Sequence, residues 1–139
     1  MKKVFAKVQY SQLNSRQQEQ FNFQKVSAVL ADYGFRTIHL GDDWQGADFI
    51  AHHIDGETFL KVQLKGRLSF DRKYEGKNLW VCFRDGSKWY LYPHDELLQE
   101  VLDHTNVGNT ESWSQKGIYN WPSLSLALRK MLTQYELNQ

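Results

Sequence analysis

Cysteine is almost missing from this chain: Cys82 is the only one in 139 residues, so no intrachain disulfide can form. It sits in the apolar run Leu79-Trp80-Val81-Cys82-Phe83 and reads as a small buried hydrophobe rather than a nucleophile. A reducing cytoplasm is the expected compartment. Long hydrophobic runs are missing too. The start, Met1-Lys2-Lys3, leads into residues broken by Lys7, Gln9 and Ser11, too polar for a signal peptide. No stretch approaches the roughly 20 apolar residues of a membrane helix, so no membrane partner is expected. An excess of one charge is lacking as well. The net charge of +1 does not by itself argue for nucleic acid. Repeats, low-complexity tracts and linkers are absent, and residues 1–139 read as one domain long enough to build a core without staples.

What is present is apolar and aromatic. Apolar residues make up 41% of the chain and aromatics 14%, which excludes disorder and predicts a packed globule. The charges are unevenly spread. Segment 61–77 carries Lys61, Lys65, Arg67, Arg72, Lys73 and Lys77 against Asp71 and Glu75, whereas from residue 78 onward five basic residues face seven acidic ones. A local basic stretch fits a phosphate backbone. It equally fits a solvated edge strand guarded by lysines.

Periodicity predicts an α/β fold, a mixed sheet of about five strands flanked by helices. Residues 4–10 alternate enough for a short strand or extended arm. Asn14 or Ser15 can cap a helix to about Tyr33, with Val26, Val29, Leu30 and Tyr33 at helical spacing and Gly34 as its stop. A strand over 35–40 follows, then a turn-rich loop over 41–46. Strands over about 47–54 and 57–68 flank Asp55-Gly56, a strong hairpin signal. Residues 69–77 read as a charged connector. Two strands, 79–83 and 89–92, form a second hairpin, and Pro93 can open a helix to about Asp103. After a polar stretch, 104–121, a last amphipathic helix is expected over 123–136.

The Asp55-Gly56 bend sets the register that matters. With these two residues as the turn, Ile54 pairs with Glu57, and counting outward puts Asp48 opposite Gln63. Directly opposed residues have Cβ atoms roughly 4.5–5.5 Å apart. Lys65 projects from the same face as Gln63 because side chains alternate along a strand. A carboxylate, an amide and an ammonium then converge, as a metal-assisted phosphodiesterase requires. A divalent ion neutralises phosphate charge and makes water nucleophilic. A lysine beside that water stabilises developing charge.

The segments Gly46-Ala47-Asp48-Phe49-Ile50-Ala51 and Leu60-Lys61-Val62-Gln63-Leu64-Lys65-Gly66-Arg67, after a helix ending in Gly-Phe, resemble the PD-(D/E)XK nuclease superfamily of restriction enzymes and archaeal Holliday junction resolvases. The resemblance covers about residues 15–103; the loop and helix over 104–139 lie outside it. It implies a restriction-endonuclease-like fold and Mg²⁺ (or Mn²⁺) held by Asp48, by Gln63 in place of the second acid and by the Leu64 carbonyl. Lys65 would stand beside the attacking water, and Glu19 would be the counterpart of a helix acid found in part of the superfamily. It further implies DNA as substrate, with Arg67, Arg72, Lys73 and Lys77 on backbone phosphates. A homodimer stays open, with the aromatic C-terminal segment as the surface to inspect.

Gln63 departs from the usual pattern. An amide oxygen coordinates without bringing charge, so unless Glu19, Asp43 or Glu57 contributes, the ion should bind weakly until a substrate phosphate joins it. Each residue also has a plain alternative: Asp48 at a strand start, Gln63 solvated, Lys65 guarding an edge. Asp42-Asp43 reads as turn chemistry. His52 and His53 lack partners at zinc spacing. Trp44, Trp113 and Trp121 fit base stacking or core packing equally. Two rivals to a nuclease remain: an inactive nucleic-acid-binding domain on the same scaffold, and a protein-interaction domain using the tryptophan-rich tail.

Overall fold

The computed structural model describes residues 4–138; Met1–Lys3, part of the expected polar start, lie outside them. Helix α1 (Ser15–Ala31) begins where Asn14 accepts from the Gln17 amide and Gln17 reaches back to the Asn14 amide, a reciprocal cap. Val26 and Leu30 bury its inner stripe. Strands β1 (Phe35–Trp44), β2 (Ala47–His53) and β3 (Phe59–Leu64) follow, then short β4 (Ser69–Asp71), β5 (Leu79–Asp85) and β6 (Lys88–Pro93). Helix α2 (His94–His104), strand β7 (Ile118–Asn120), helix α3 (Leu126–Leu132) and strand β8 (Glu136–Leu137) complete the order.

The architecture is mixed α/β. Six strands in the order β1-β2-β3-β5-β6-β8 form the main sheet, with β3 and β5 parallel and the other neighbours antiparallel. The β4–β7 pair forms a small second sheet. Alternation along the strands divides the core in two. Phe49, Ala51, Val62, Cys82, Trp89 and Leu91 pack toward α1. Val81, Phe83, Tyr90 and Tyr92 pack toward α2 and α3 with Leu97, Val101, Leu128 and Leu132. Cys82 is fully buried, and burial pushes its thiol far above the usual range, as a structural cysteine requires.

Several expectations change. Residues 4–10 form no strand; a 3₁₀ turn over Tyr10–Gln12 stands there, and Val4, Phe5 and Val8 are exposed. The last helix is short because the chain turns at Thr133–Tyr135 and enters β8, a sixth strand on β6. The connector and the polar tail are not loops throughout: Ser69–Asp71 and Ile118–Asn120 pair with each other. Trp113 is buried in the core and Trp121 packs against it. Ile118 and Leu126 of the same segment stay exposed.

Candidate active site

The site forms where β2 starts and β3 ends. The loop expected over 41–46 is instead the end of β1, which runs through an irregularity between His39 and Trp44. Gln45 and Gly46, at φ 54° and 88°, make the two-residue turn that pairs Trp44 with Ala47. Gly46 is needed twice over: its φ is left-handed, and a Cβ there would lie 2.9 Å from the Tyr74 ring. The Asp55-Gly56 bend is wider than the two-residue turn expected. Gly56 N–H donates to the His53 carbonyl, His53 N–H to the Thr58 carbonyl, and Asp55 accepts from the Glu57 and Thr58 amides. The wider loop preserves the register. The paired residues end at Phe49 and Val62, with Ala51 on Leu60; the same count carried one step outward would set Asp48 opposite Gln63.

Beyond that rung the strands part. Lys65 N–H donates to the Cys82 carbonyl at 2.8 Å, keeping β3 stitched to β5. Backbone groups alternate sides along a strand, so Leu64 turns its own N–H toward the gap left by β2. Asp48 Oδ2 accepts that N–H at 2.8 Å. Asp48 thus closes the ladder with a carboxylate instead of a backbone carbonyl.

Burial holds the Asp48 carboxyl above its usual range. The Leu64 N–H opposes this, Glu19 adds to it, Lys65 opposes it, and Asp43 adds to it. These groups therefore lie close enough to feel one another. A cavity of about 420 Å³ opens here, lined by Arg16, Glu19, His39, Asp42, Asp43 and Asp48. Glu19, on the first half of α1, shares this cavity with Asp48. Asp43 does too: expected in a turn and only as a possible extra contributor to the ion, it is brought round by the long, irregular β1.

Gln63 and Lys65 are half-buried. The Gln63 amide nitrogen donates to the Leu64 carbonyl over a long 3.4 Å. The Lys65 ammonium lies 5.6 Å from the centre of the Tyr74 ring, and Lys73 approaches the same ring at 5.1 Å. Tyr74 is buried in a small cluster with Ala47 and Leu79. Burial pushes its phenol up; Lys73 pulls it down, while Asp71, Asp48 and Asp43 push it further up. Nothing in the sequence marked Tyr74, which sits in what reads as a charged connector.

The donors at Asp48, Gln63 and Leu64 are a carboxylate, an amide and a backbone carbonyl. This all-oxygen set with one negative charge fits Mg²⁺ or Mn²⁺ rather than zinc. Among the described residues, no group of three or more His, Cys, Asp or Glu side chains could hold a metal ion. Both oxygens can face one ion only if the Gln63 amide makes a half-turn about its last torsion.

The four cations expected on phosphates separate into distinct settings. Arg67 is exposed and donates to the Asn120 side chain at 3.4 Å. Arg72 donates to the Trp113 carbonyl at 2.8 Å and lies over the Trp113 ring, so its guanidinium is tied to the fold. Lys73 pairs with Asp71 at 3.8 Å, and Lys77 is exposed. Arg84, at the end of β5, lines a cleft with Lys65 and went unnoticed in the sequence. Of the three tryptophans weighed for stacking, Trp44 is 52% exposed, with Lys61 over its ring. No helix of the described residues is long and apolar enough to cross a membrane.

The arrangement of strands and helices is that of a mixed α/β domain with a six-stranded, mainly antiparallel sheet. No family model matches the sequence, and no curated protein matches it. Among solved structures, the chain is similar to Archaeoglobus fulgidus Hjc, a Holliday junction resolvase from an archaeal hyperthermophile. The TM-score is 0.42 at 19% identity, covering 50% of this chain and 74% of that one.

Proposed function

We propose that this protein is a metal-dependent endonuclease that hydrolyses phosphodiester bonds in DNA. One observation carries the reading: the Asp48 carboxylate caps the Leu64 amide between two parting strands, with Gln63 opposite and Lys65 next in line. Asp48, the Leu64 carbonyl and the reoriented Gln63 amide would hold Mg²⁺ or Mn²⁺. When bound, such an ion supplies Lewis-acid charge to the phosphate and lowers the pKa of water. Lys65, steadied over the Tyr74 ring, stabilises the charge that develops on the phosphoryl oxygens. Glu19 and Asp43 add negative charge to the same cavity, which favours a divalent over a monovalent cation. Arg67, Lys73 and Lys77 hold backbone phosphates, and Arg72 supports the fold beneath them.

Cleavage of duplex, branched and single-stranded DNA with Mg²⁺ or Mn²⁺ tests this reading. The wild type should cut at least one substrate, and Lys65→Ala should lose about 100-fold or more, the scale of one lost charge-stabilising donor. Cutting that survives Lys65→Ala would refute the assignment.

A second reading, a DNA-binding domain without catalysis, is favoured by one feature. Asp48 is the only anion among the three donors, and the Gln63 amide nitrogen faces the carbonyl that would share the ion. Gln63→Glu separates the two readings: it preserves or raises cleavage in an enzyme and yields none in an inactive scaffold.

A further inference from the structure

Lys65 and Gly66 form a rim between two clefts. One, of about 330 Å³, is lined by Arg67, Ser69, Ile118 and Asn120 beside the rim residues. The other, of about 160 Å³, is lined by Tyr10, Asn22, Arg84 and Trp89 beside the same two residues. Phe70, on the first cleft, belongs to the core under α2 and α3, whereas Trp89, on the second, belongs to the core under α1. The clefts therefore open on opposite faces of the sheet and meet at the carboxyl end of β3.

Each cleft holds one arginine. Arg84 is set between two rings, 5.3 Å from the centre of Trp89 and 5.9 Å from that of Tyr10. Tyr10 is itself fixed: its hydroxyl accepts from Asn22 at 2.9 Å and its carbonyl from Gln18 at 3.3 Å. Among the described residues, Lys65, Arg67 and Arg84 make no salt bridge to a carboxylate. Asp71, also on the first cleft, is paired with Lys73. Three cations thus line a path from one face of the sheet to the other.

Gly66 keeps the rim low. Its φ is outside the left-handed region, and a Cβ built there would meet no atom within 4 Å. The fold does not need glycine at this position. A bare backbone on the rim leaves room for another chain to approach closely.

We propose that one DNA strand crosses the sheet end over Lys65–Gly66, with Arg67 and Arg84 each holding a phosphate on either side of the scissile one. This rests on the nuclease reading and adds to it a path and a second phosphate subsite, in the Tyr10–Arg84 cleft. Arg84 acts by charge, so its loss weakens binding whatever the base sequence.

The test is binding of fluorescein-labelled duplex and single-stranded DNA to the full chain, by anisotropy across a salt series, together with kcat and KM for cleavage. Arg84→Gln should raise Kd about 3- to 10-fold and flatten the slope of log Kd against log salt by about 1. Arg84→Lys should restore the slope. Gly66→Val should melt with the wild type yet raise Kd and KM at least about 3-fold, keeping the test valid should Arg84→Gln fold poorly. Wild-type binding with a steep salt dependence, unchanged in Arg84→Gln and Gly66→Val, overturns the path and leaves the nuclease reading standing. No salt-sensitive binding by the wild type overturns both.

Discussion

Asp48 shows the conflict between stability and chemistry at a single residue. Burial, then Glu19 and Asp43, hold its carboxyl above the ordinary range, against the pull of the Leu64 amide and Lys65. A raised folded-state pKa means that folding favours the protonated form. Its stabilising contribution is present below the unfolded value, about 3.9, and is lost as pH rises through the folded value. At neutral pH the charged carboxylate therefore weakens the fold. Asp48→Asn keeps an oxygen to accept the Leu64 N–H and removes the charge. It should melt at or above the wild-type temperature at pH 7, with the difference vanishing in acid. Added Mg²⁺ with DNA should raise the melting temperature of the wild type alone. A lower melting temperature for Asp48→Asn at pH 7, measured by calorimetry, would contradict this account.

At the scale of elements, a buried histidine fixes the turn that carries Tyr74. His94, the first residue of α2, is fully buried; its Nε2 accepts the Asp71 N–H at 3.2 Å, so Nδ1 carries the proton and meets Asp95 at 2.8 Å. Asp71 in turn caps the 3₁₀ turn Arg72–Tyr74 by accepting from the Lys73 amide. Burial raises the Asp95 carboxyl, but bonds from His94 and the Gly76 amide outweigh it and leave it below its usual range. His94→Phe removes the acceptor for Asp71 and the donor for Asp95. It should cost about 1–3 kcal/mol, the price of an unpaired partly buried amide, and should lower cleavage by loosening Tyr74 under Lys65. Chemical denaturation reads the first effect and the kcat of the folded variant the second. A variant as stable as the wild type would remove His94 from this role.

Elements set by local chemistry were legible in the sequence. The Asn14 cap, the Val26 and Leu30 stripe and the alternation of Leu60, Val62 and Leu64 all name their structures, and the register of Asp48 with Gln63 follows from them. The turn type did not follow. Asp-Gly formed a wider loop because Asp55 bonds two amides beyond it, and the tight turn fell to Gln45-Gly46, where Tyr74 leaves no room for a side chain. Residues joined only by tertiary packing stayed hidden. Tyr74 arrives through a turn held from α2, Arg84 because β5 runs past its expected end at Phe83 into the expected hairpin loop, and Asp43, expected in a turn, through an irregular strand. Trp113 and Trp121, which fitted stacking or packing equally in the sequence, pack with the core; the polar spacing around them left the choice open.

On the scale of the whole molecule, polar chemistry gathers at one end of the sheet. The start of β2, the ends of β3 and β5, and the first half of α1 set Asp48 near Glu19 and Lys65, and Lys65 on one cleft with Arg84. The two cores pack under opposite faces of the sheet that carries that end. The net charge of +1 says little about this, because the cations that matter are local. Mn²⁺ titration followed by electron paramagnetic resonance, with a cleavage-resistant phosphorothioate DNA duplex bound, reads the shared cation directly. The wild type should take up Mn²⁺, Gln63→Glu should bind it about 10-fold or more tightly because ligand charge strengthens such sites, and Asp48→Asn should bind none there. Identical isotherms for the wild type and Asp48→Asn would contradict the account.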